Sequence, residues 1–161
     1  MRLQDIAIRL AVEDDYEAVC ALYRVVDTYH AAMLPAMFQE FIGPSRSLEH
    51  FVAKLNDPAK AVFVAESQGE LWGLADVQES ESPPYPMFKP ARFALINNVV
   101  VAEAHRRQGV ARALLDAISR WARERGLVTI QLNVYSKNKD ALAFYLDAGF
   151  TPLSEKLELT L

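Results

Sequence analysis

Ala94-Leu95-Ile96-Asn97-Asn98-Val99-Val100-Val101-Ala102-Glu103-Ala104-His105-Arg106-Arg107-Gln108-Gly109-Val110-Ala111 runs from an apolar, strand-like segment through a basic turn into the start of a helix. Helix starts ordinarily carry Ser, Thr, Asp or Asn as the cap and acidic residues in the first turn, because unpaired amides and the positive dipole end attract negative charge. Here Arg106, Arg107, Gln108 and Gly109 stand in those places. Two guanidinium groups at a positive dipole end make sense when the negative charge comes from a ligand, a phosphate or pyrophosphate held by the amides. The competing reading is a solvated turn in which Gly109 only relieves strain. The chain has no glycine-rich run ending in Gly-Lys-Ser/Thr and no Gly-x-Gly-x-x-Gly after an apolar stretch, which excludes the two best-known nucleotide-phosphate loops.

Arg106-Arg107-Gln108-Gly109-Val110-Ala111 resembles Gln/Arg-x-x-Gly-x-Gly/Ala, the pyrophosphate loop of the GNAT N-acetyltransferase superfamily. Downstream, Asn138-Lys139-Asp140-Ala141-Leu142-Ala143-Phe144-Tyr145, followed by Gly149-Phe150, is similar to the Asn-x-x-Ala-x-x-Phe-Tyr helix of that family. The resemblance is densest from Leu95 to Leu159 and rests on element order before that; Ala111 replaces the commoner second glycine, which the pattern allows. It implies an α/β fold in which a mixed, mostly antiparallel twisted sheet with a central parallel strand pair is flanked by helices. It also implies acetyl-CoA as acyl-donor cosubstrate. On that resemblance the backbone of Val99, Val100 and Val101 pairs with the pantetheine arm, and the amides of Arg106, Arg107, Gln108, Gly109, Val110 and Ala111 hold the pyrophosphate. Asn138 matches the residue that helps position the cofactor arm, and Tyr145 matches a frequent general acid that protonates the leaving thiolate.

With 161 residues, 52% of them hydrophobic and 24% charged, the chain is long enough for one sizeable core, and a single domain spanning 1–161 is expected. A net charge of -4 argues against nucleic acid or an anionic membrane as partner, since those require a basic surface. The lone Cys20 excludes an internal disulfide and a cysteine metal cluster; it reads as a small core hydrophobe. His30, His50 and His105 fall in no ligand spacing, so no metal is expected. Met1 to Asp5 leads into charged residues instead of a signal-peptide core, and no apolar run is long enough to span a bilayer, so a cytoplasmic protein is expected.

Ile6 to Ala11 alternates like a half-buried strand, and Glu13-Asp14-Asp15 opens a helix whose apolar stripe is Ala18, Val19, Leu22, Val25 and Val26. The apolar helical pattern continues through His30, Met33, Leu34, Met37 and Phe38 to Gly43-Pro44; as a stripe it reads as core, with a substrate cleft as the alternative. Ser47 to Leu55 is a short helix, and Ala61 to Ala65 with Glu70 to Val77 form an antiparallel hairpin. Ser80 to Ala91, with four prolines, is an irregular loop whose Tyr85, Met87 and Phe88 offer apolar contacts. After the basic turn, Val110, Leu114, Ala117, Ile118 and Trp121 form a helical stripe that stops at Gly126. Leu127 to Tyr135 is the strand parallel to Ala94–Val101, and Leu157, Leu159 and Leu161 alternate as a last strand. In the helix between them, Asn138 and Tyr145 share a face, since seven residues return to within about 20° and advance about 10 Å.

The implied reaction is transfer of an acetyl group to a primary amine by direct attack on the thioester. The acceptor is a small-molecule or peptide amine of unassigned identity; a homodimer is left open. A thioester is already activated, so orientation and a backbone amide such as that of Val101 facing the carbonyl oxygen supply most of what is needed. An alkylamine is neutral in only about one molecule in a thousand at pH 7, so a base is required, yet Asn97 and Asn98 stand where some family members place a glutamate. A water chain touching Asn133 is the expected substitute. Two other readings are a catalytically silent acyl-CoA-binding or sensing domain and a transferase of a longer acyl group; retention of Tyr145 favours an enzyme.

Overall fold

The computed structural model describes residues 6–161; the reading of Met1 to Asp5 lies outside the described residues. The elements follow in the order β1 (Ala7–Leu10), α1 (Tyr16–Met33), α2 (Leu48–Asn56), β2 (Lys60–Ser67), β3 (Glu70–Glu81), β4 (Arg92–Val101), α3 (Val110–Glu124), β5 (Ile130–Leu132) and α4 (Lys139–Asp147). Short 3-10 turns at Glu13–Asp15 and Glu103–His105 precede α1 and α3. The strands form one sheet in the order β1-β2-β3-β4-β5. Every pair is antiparallel except β4–β5, where Ala94, Leu95 and Ile96 lie beside Ile130, Gln131 and Leu132. This is the mixed sheet expected from the sequence.

Helices cover both faces, so the central strands are buried on both sides and read as near-continuous apolar runs. One core joins Ala65, Ala75, Val77, Ala94 and Ile96 to the α3 stripe of Val110, Leu114, Ile118 and Trp121. The other joins Val62, Val64, Leu74 and Val100 to Val19, Leu22 and Tyr23 of α1 and to Phe51 of α2. Arg46 ties the segment between α1 and α2 back to α1, pairing with Asp27 at 3.1 Å and stacking 4.6 Å from the centre of the Tyr23 ring.

Four expectations are corrected. The helical pattern past Met33 is not helix: Pro35 blocks continuation and drives the residue before it out of the α region, and Leu34 caps α1 with φ -133° and ψ 62°. β3 runs on to Glu81, so the proline-rich loop begins at Ser82, where Ser82 and Ala91 close it by hydrogen bonds. β5 is three residues long instead of spanning Leu127 to Tyr135; its ladder with β4 stops at Ile96–Leu132, immediately before the residue at which β4 changes register with β3. Residues 151–161 carry no strand, and Leu157, Leu159 and Leu161 are all exposed. Alternation marks an apolar face, but so short a β5 offers too few backbone groups to hold a further strand.

Candidate active site

The site begins where β4 parts from β5. Opposite β3, Asp76 faces Asn98 while the next residue, Val77, faces Ile96, so Asn97 is an extra residue and β4 bulges there. A bulge reverses the side to which later backbone groups point. Before it, the Ala94 amide donates to Thr129 on the β5 side; after it, the Ala102 amide donates to Trp72 on the β3 side. Alternation therefore turns the amides of Val99 and Val101 toward the edge that β5 has vacated. Arg106 marks the same edge, its Nε reaching the Val101 carbonyl at 3.4 Å. Val100 points the other way: its side chain lies in the α1–α2 core and its carbonyl faces β3. Of the three valines expected to meet the pantetheine arm, the fold brings two to the open edge.

The basic turn follows. Gly109 is the N-cap of α3 in the left-handed region (φ 83°), and Arg107 is left-handed as well (φ 59°). Left-handed residues at alternate positions curl successive amides inward into an anion-sized concavity. No side chain caps α3 and its first turn has no acid. Among the described residues, the amides of Arg107, Gln108, Gly109, Val110, Ala111 and Arg112 donate to no protein acceptor. A left-handed arginine is uncommon and carries a small strain that surrounding structure must hold. The support is visible: Gln108 Nε2 bonds the Ala104 carbonyl at 3.1 Å, and His105 stacks on Trp72 with ring centres 4.0 Å apart and planes within 6°.

Gly73 sets how closely these parts approach. A Cβ there would lie 2.7 Å from the Val100 carbonyl oxygen, 3.1 Å from Val110 Cγ1 and 3.3 Å from Leu114 Cδ1. A glycine inside a strand pattern often marks such an approach, and this one went unread in the sequence.

Tyr145 packs against the same core as Val99 and Val101, edge-on to Phe144 and Phe150 at 5.3 and 5.5 Å. It thus serves the core on the same face of the sheet as α3. Burial pushes its phenol up to about 12. Arg112 of α3 reaches Asp147 of α4 at 2.8 Å in an exposed ion pair. Asn138 is the N-cap of α4: its Oδ1 accepts from the Ala141 amide at 3.2 Å and lies 3.4 Å from the Tyr29 hydroxyl, so its oxygen is already engaged.

Two groupings go beyond the sequence reading, which had His30 and Phe38 as a core stripe with a substrate cleft as the alternative and did not join Tyr135 to them. His30, Phe38 and Tyr135 assemble into an aromatic wall, with His30 stacked on Phe38 at 5.1 Å and edge-on to Tyr135 at 5.4 Å. Burial lowers the His30 pKa, with Asp27 opposing it, so the imidazole is neutral at pH 7. The second group is Asp76, fully buried on β3, which accepts from the Tyr23 hydroxyl at 2.6 Å and from Asn98 Nδ2 at 2.8 Å. Lys54 Nζ lies 3.4 Å from its other oxygen, an ion-pair distance without hydrogen-bond alignment. A charged residue inside the apolar run of β3 was the available signal.

Among the described residues no helix is long and apolar enough to cross a membrane. An aminoglycoside N(6')-acetyltransferase type 1 of Klebsiella aerogenes is 29% identical over 111 residues, covering 69% of this chain and 72% of that protein. The chain spans 24 to 41% of the length of four other curated acetyltransferases that it matches. A crystal structure of a mutant of the BH1408 protein from Bacillus halodurans superposes with a TM-score of 0.91 at 25% identity, covering 96% of this chain and 99% of that one. The aminoglycoside N-acetyltransferase AAC(6')-Iy, solved in complex with CoA, shares the fold with a TM-score of 0.71 at 17% identity over 97% of this chain and 94% of that one. Residues 25–150 match the Acetyltransferase (GNAT) family, and the chain belongs to that family.

Proposed function

We propose that the protein transfers the acetyl group of acetyl-CoA to a primary amine. The observation that carries this is the pairing of an uncapped, inward-curled amide turn at Arg107 to Gly109 with the open edge of β4, whose amides at Val99 and Val101 are unmatched by β5. The turn fits a pyrophosphate, since its amides and dipole end offer positive charge and Gly109 presents no side chain. The open edge fits an extended arm that carries amide groups, as a strand fits a peptide.

Acetyl-CoA brings an activated thioester. The chain's own groups then bind, orient and stabilise. The Val99 and Val101 amides align the arm, and the Val101 amide faces the negative charge that develops on the carbonyl oxygen. Tyr145 remains protonated at neutral pH, because its phenol titrates at about 12. Full proton transfer from such a phenol to a thiolate of pKa about 8.5 is uphill by about 5 kcal/mol, so Tyr145 acts as a hydrogen-bond donor to the departing sulfur. The wall of His30, Phe38 and Tyr135 supports an acceptor side between the end of α1 and the turn before α4, and its neutral imidazole is a proton acceptor that the sequence reading lacked.

The test is binding followed by turnover. Acetyl-CoA at 100 times its dissociation constant adds about 2.7 kcal/mol of stability, which for a domain of this size raises Tm by about 5–10 °C. Gly109→Glu places a side chain and a negative charge where the pyrophosphate sits and should abolish that shift while the variant still folds. Release of free thiol with a panel of amines, and a product mass increased by one acetyl group, separates an enzyme from a silent binding domain. No Tm shift with the wild-type protein refutes the reading.

A further inference from the structure

The position of the β4 bulge is poorly specified by hydrophobic pattern. Asn97-Asn98 followed by Val99-Val100-Val101 means that a slip of one residue replaces asparagine by asparagine and valine by valine along most of the strand end. A slip of that kind would remove the bulge, set Asn97 opposite Asp76 and Val99 opposite Leu74, and turn the amides of Val99 and Val101 inward to β3. The open edge would then offer other groups. Something other than apolar burial must choose between the two registers.

Polar satisfaction makes the choice. In the observed register Asn97 donates to Gln78 Oε1 at 3.2 Å on the exposed side, and Asn98 donates to Asp76 at 2.8 Å beneath α1 and α2. Asp76 is itself fixed by the Tyr23 hydroxyl and by Lys54. In the slipped register Asn97 could reach Asp76, but Asn98 would stand across from Ala75, facing the apolar core of α3 without a partner. An unsatisfied buried amide is expensive, and a buried carboxylate is otherwise a poor source of stability, whereas fixing register is the best-attested use of such groups.

We propose that Asp76, held by Tyr23 and Lys54, is a positioning residue that locks β4 in its bulged register through Asn98 and thereby selects Val99 and Val101 as the amides on the open edge. The consequence for acetyl-CoA rests on the functional reading above; the register itself does not.

Asn98→Val and Asn97→Val separate the possibilities. Asn98→Val removes the penalty on slipping and leaves Asn97 to satisfy Asp76, so cross-strand NOEs from Leu74 should move from Val100 to Val99, and acetyl-CoA should bind at least about 10-fold more weakly through loss of aligned amide bonds. Asn97→Val leaves only the bulged register satisfied, so the Leu74–Val100 pairing should persist and affinity should stay within about 2-fold. If Asn98→Val does not fold, Asn98→Ser, whose hydroxyl is too short to reach Asp76, must show the slipped pairing or both pairings. Unchanged Leu74–Val100 pairing in the Asn98 variants overturns the lock. Failure of the wild type to bind acetyl-CoA would instead overturn the functional reading, with the NOE pattern still deciding the lock.

Discussion

Gly73→Ala tests the geometry on which the site depends. The new Cβ would sit 2.7 Å from the Val100 carbonyl oxygen, where side chains essentially never come below 3.0 Å and ordinary contact begins at 3.4 Å. The strand must therefore retreat by about 0.3–0.7 Å, and none of the three neighbours yields easily. One is the backbone of β4; the others, Val110 and Leu114, lie in the first two turns of α3 and are buried. Overpacking of this kind costs about 1–3 kcal/mol, offset by about 0.4–1 kcal/mol from the stiffer unfolded chain. The net loss of about 1–2 kcal/mol lowers Tm by about 2–8 °C. Because the displaced atoms join the end of β4 to the start of α3, acetyl-CoA affinity should fall in the same variant. Gly126→Ala is the control: its left-handed φ of 70° makes a Cβ strained, but nothing lies within 4 Å and it stands at the far end of α3. Both variants should melt lower, and only Gly73→Ala should bind acetyl-CoA more weakly. A Gly73→Ala protein with wild-type Tm, or one that melts lower but binds normally, would refute the reasoning.

Tyr145→Phe keeps the ring contacts with Phe144 and Phe150 and removes the hydroxyl, so kcat should fall by about 10-fold to 100-fold with little change in acetyl-CoA affinity; unchanged turnover in steady-state assays would leave Tyr145 a core aromatic. The same variant checks its burial. A phenol held at about 12 in the folded chain and near 10 in the unfolded one contributes stability fully present below about pH 10 and lost as pH rises through about 12, since the unfolded chain releases its proton first. Denaturant titrations between those values should show wild-type stability falling more steeply with pH than that of Tyr145→Phe, and equal slopes would count against the buried phenol.

The order of elements, the stripe of α3 and the loop from Arg106 to Ala111 were legible in the residues themselves, because helical periodicity, a glycine and the absence of an acidic cap are local properties. The end of α1 was missed although Pro35 was there to read, since the apolar spacing through Phe38 mimics a helix when only periodicity is weighed. The tail beyond Phe150 alternates like a strand, but alternation cannot supply a neighbour with free backbone groups, and the short β5 does not. What only the tertiary structure decided is which backbone groups face the open edge: the family resemblance assigned Val99, Val100 and Val101 together, and the bulge at Asn97 turned Val99 and Val101 outward and Val100 in. That bulge exists because Asp76, Tyr23 and Lys54 arrive from three separate elements beneath Asn98, and contacts between residues distant in the chain leave no local periodicity by which to read them.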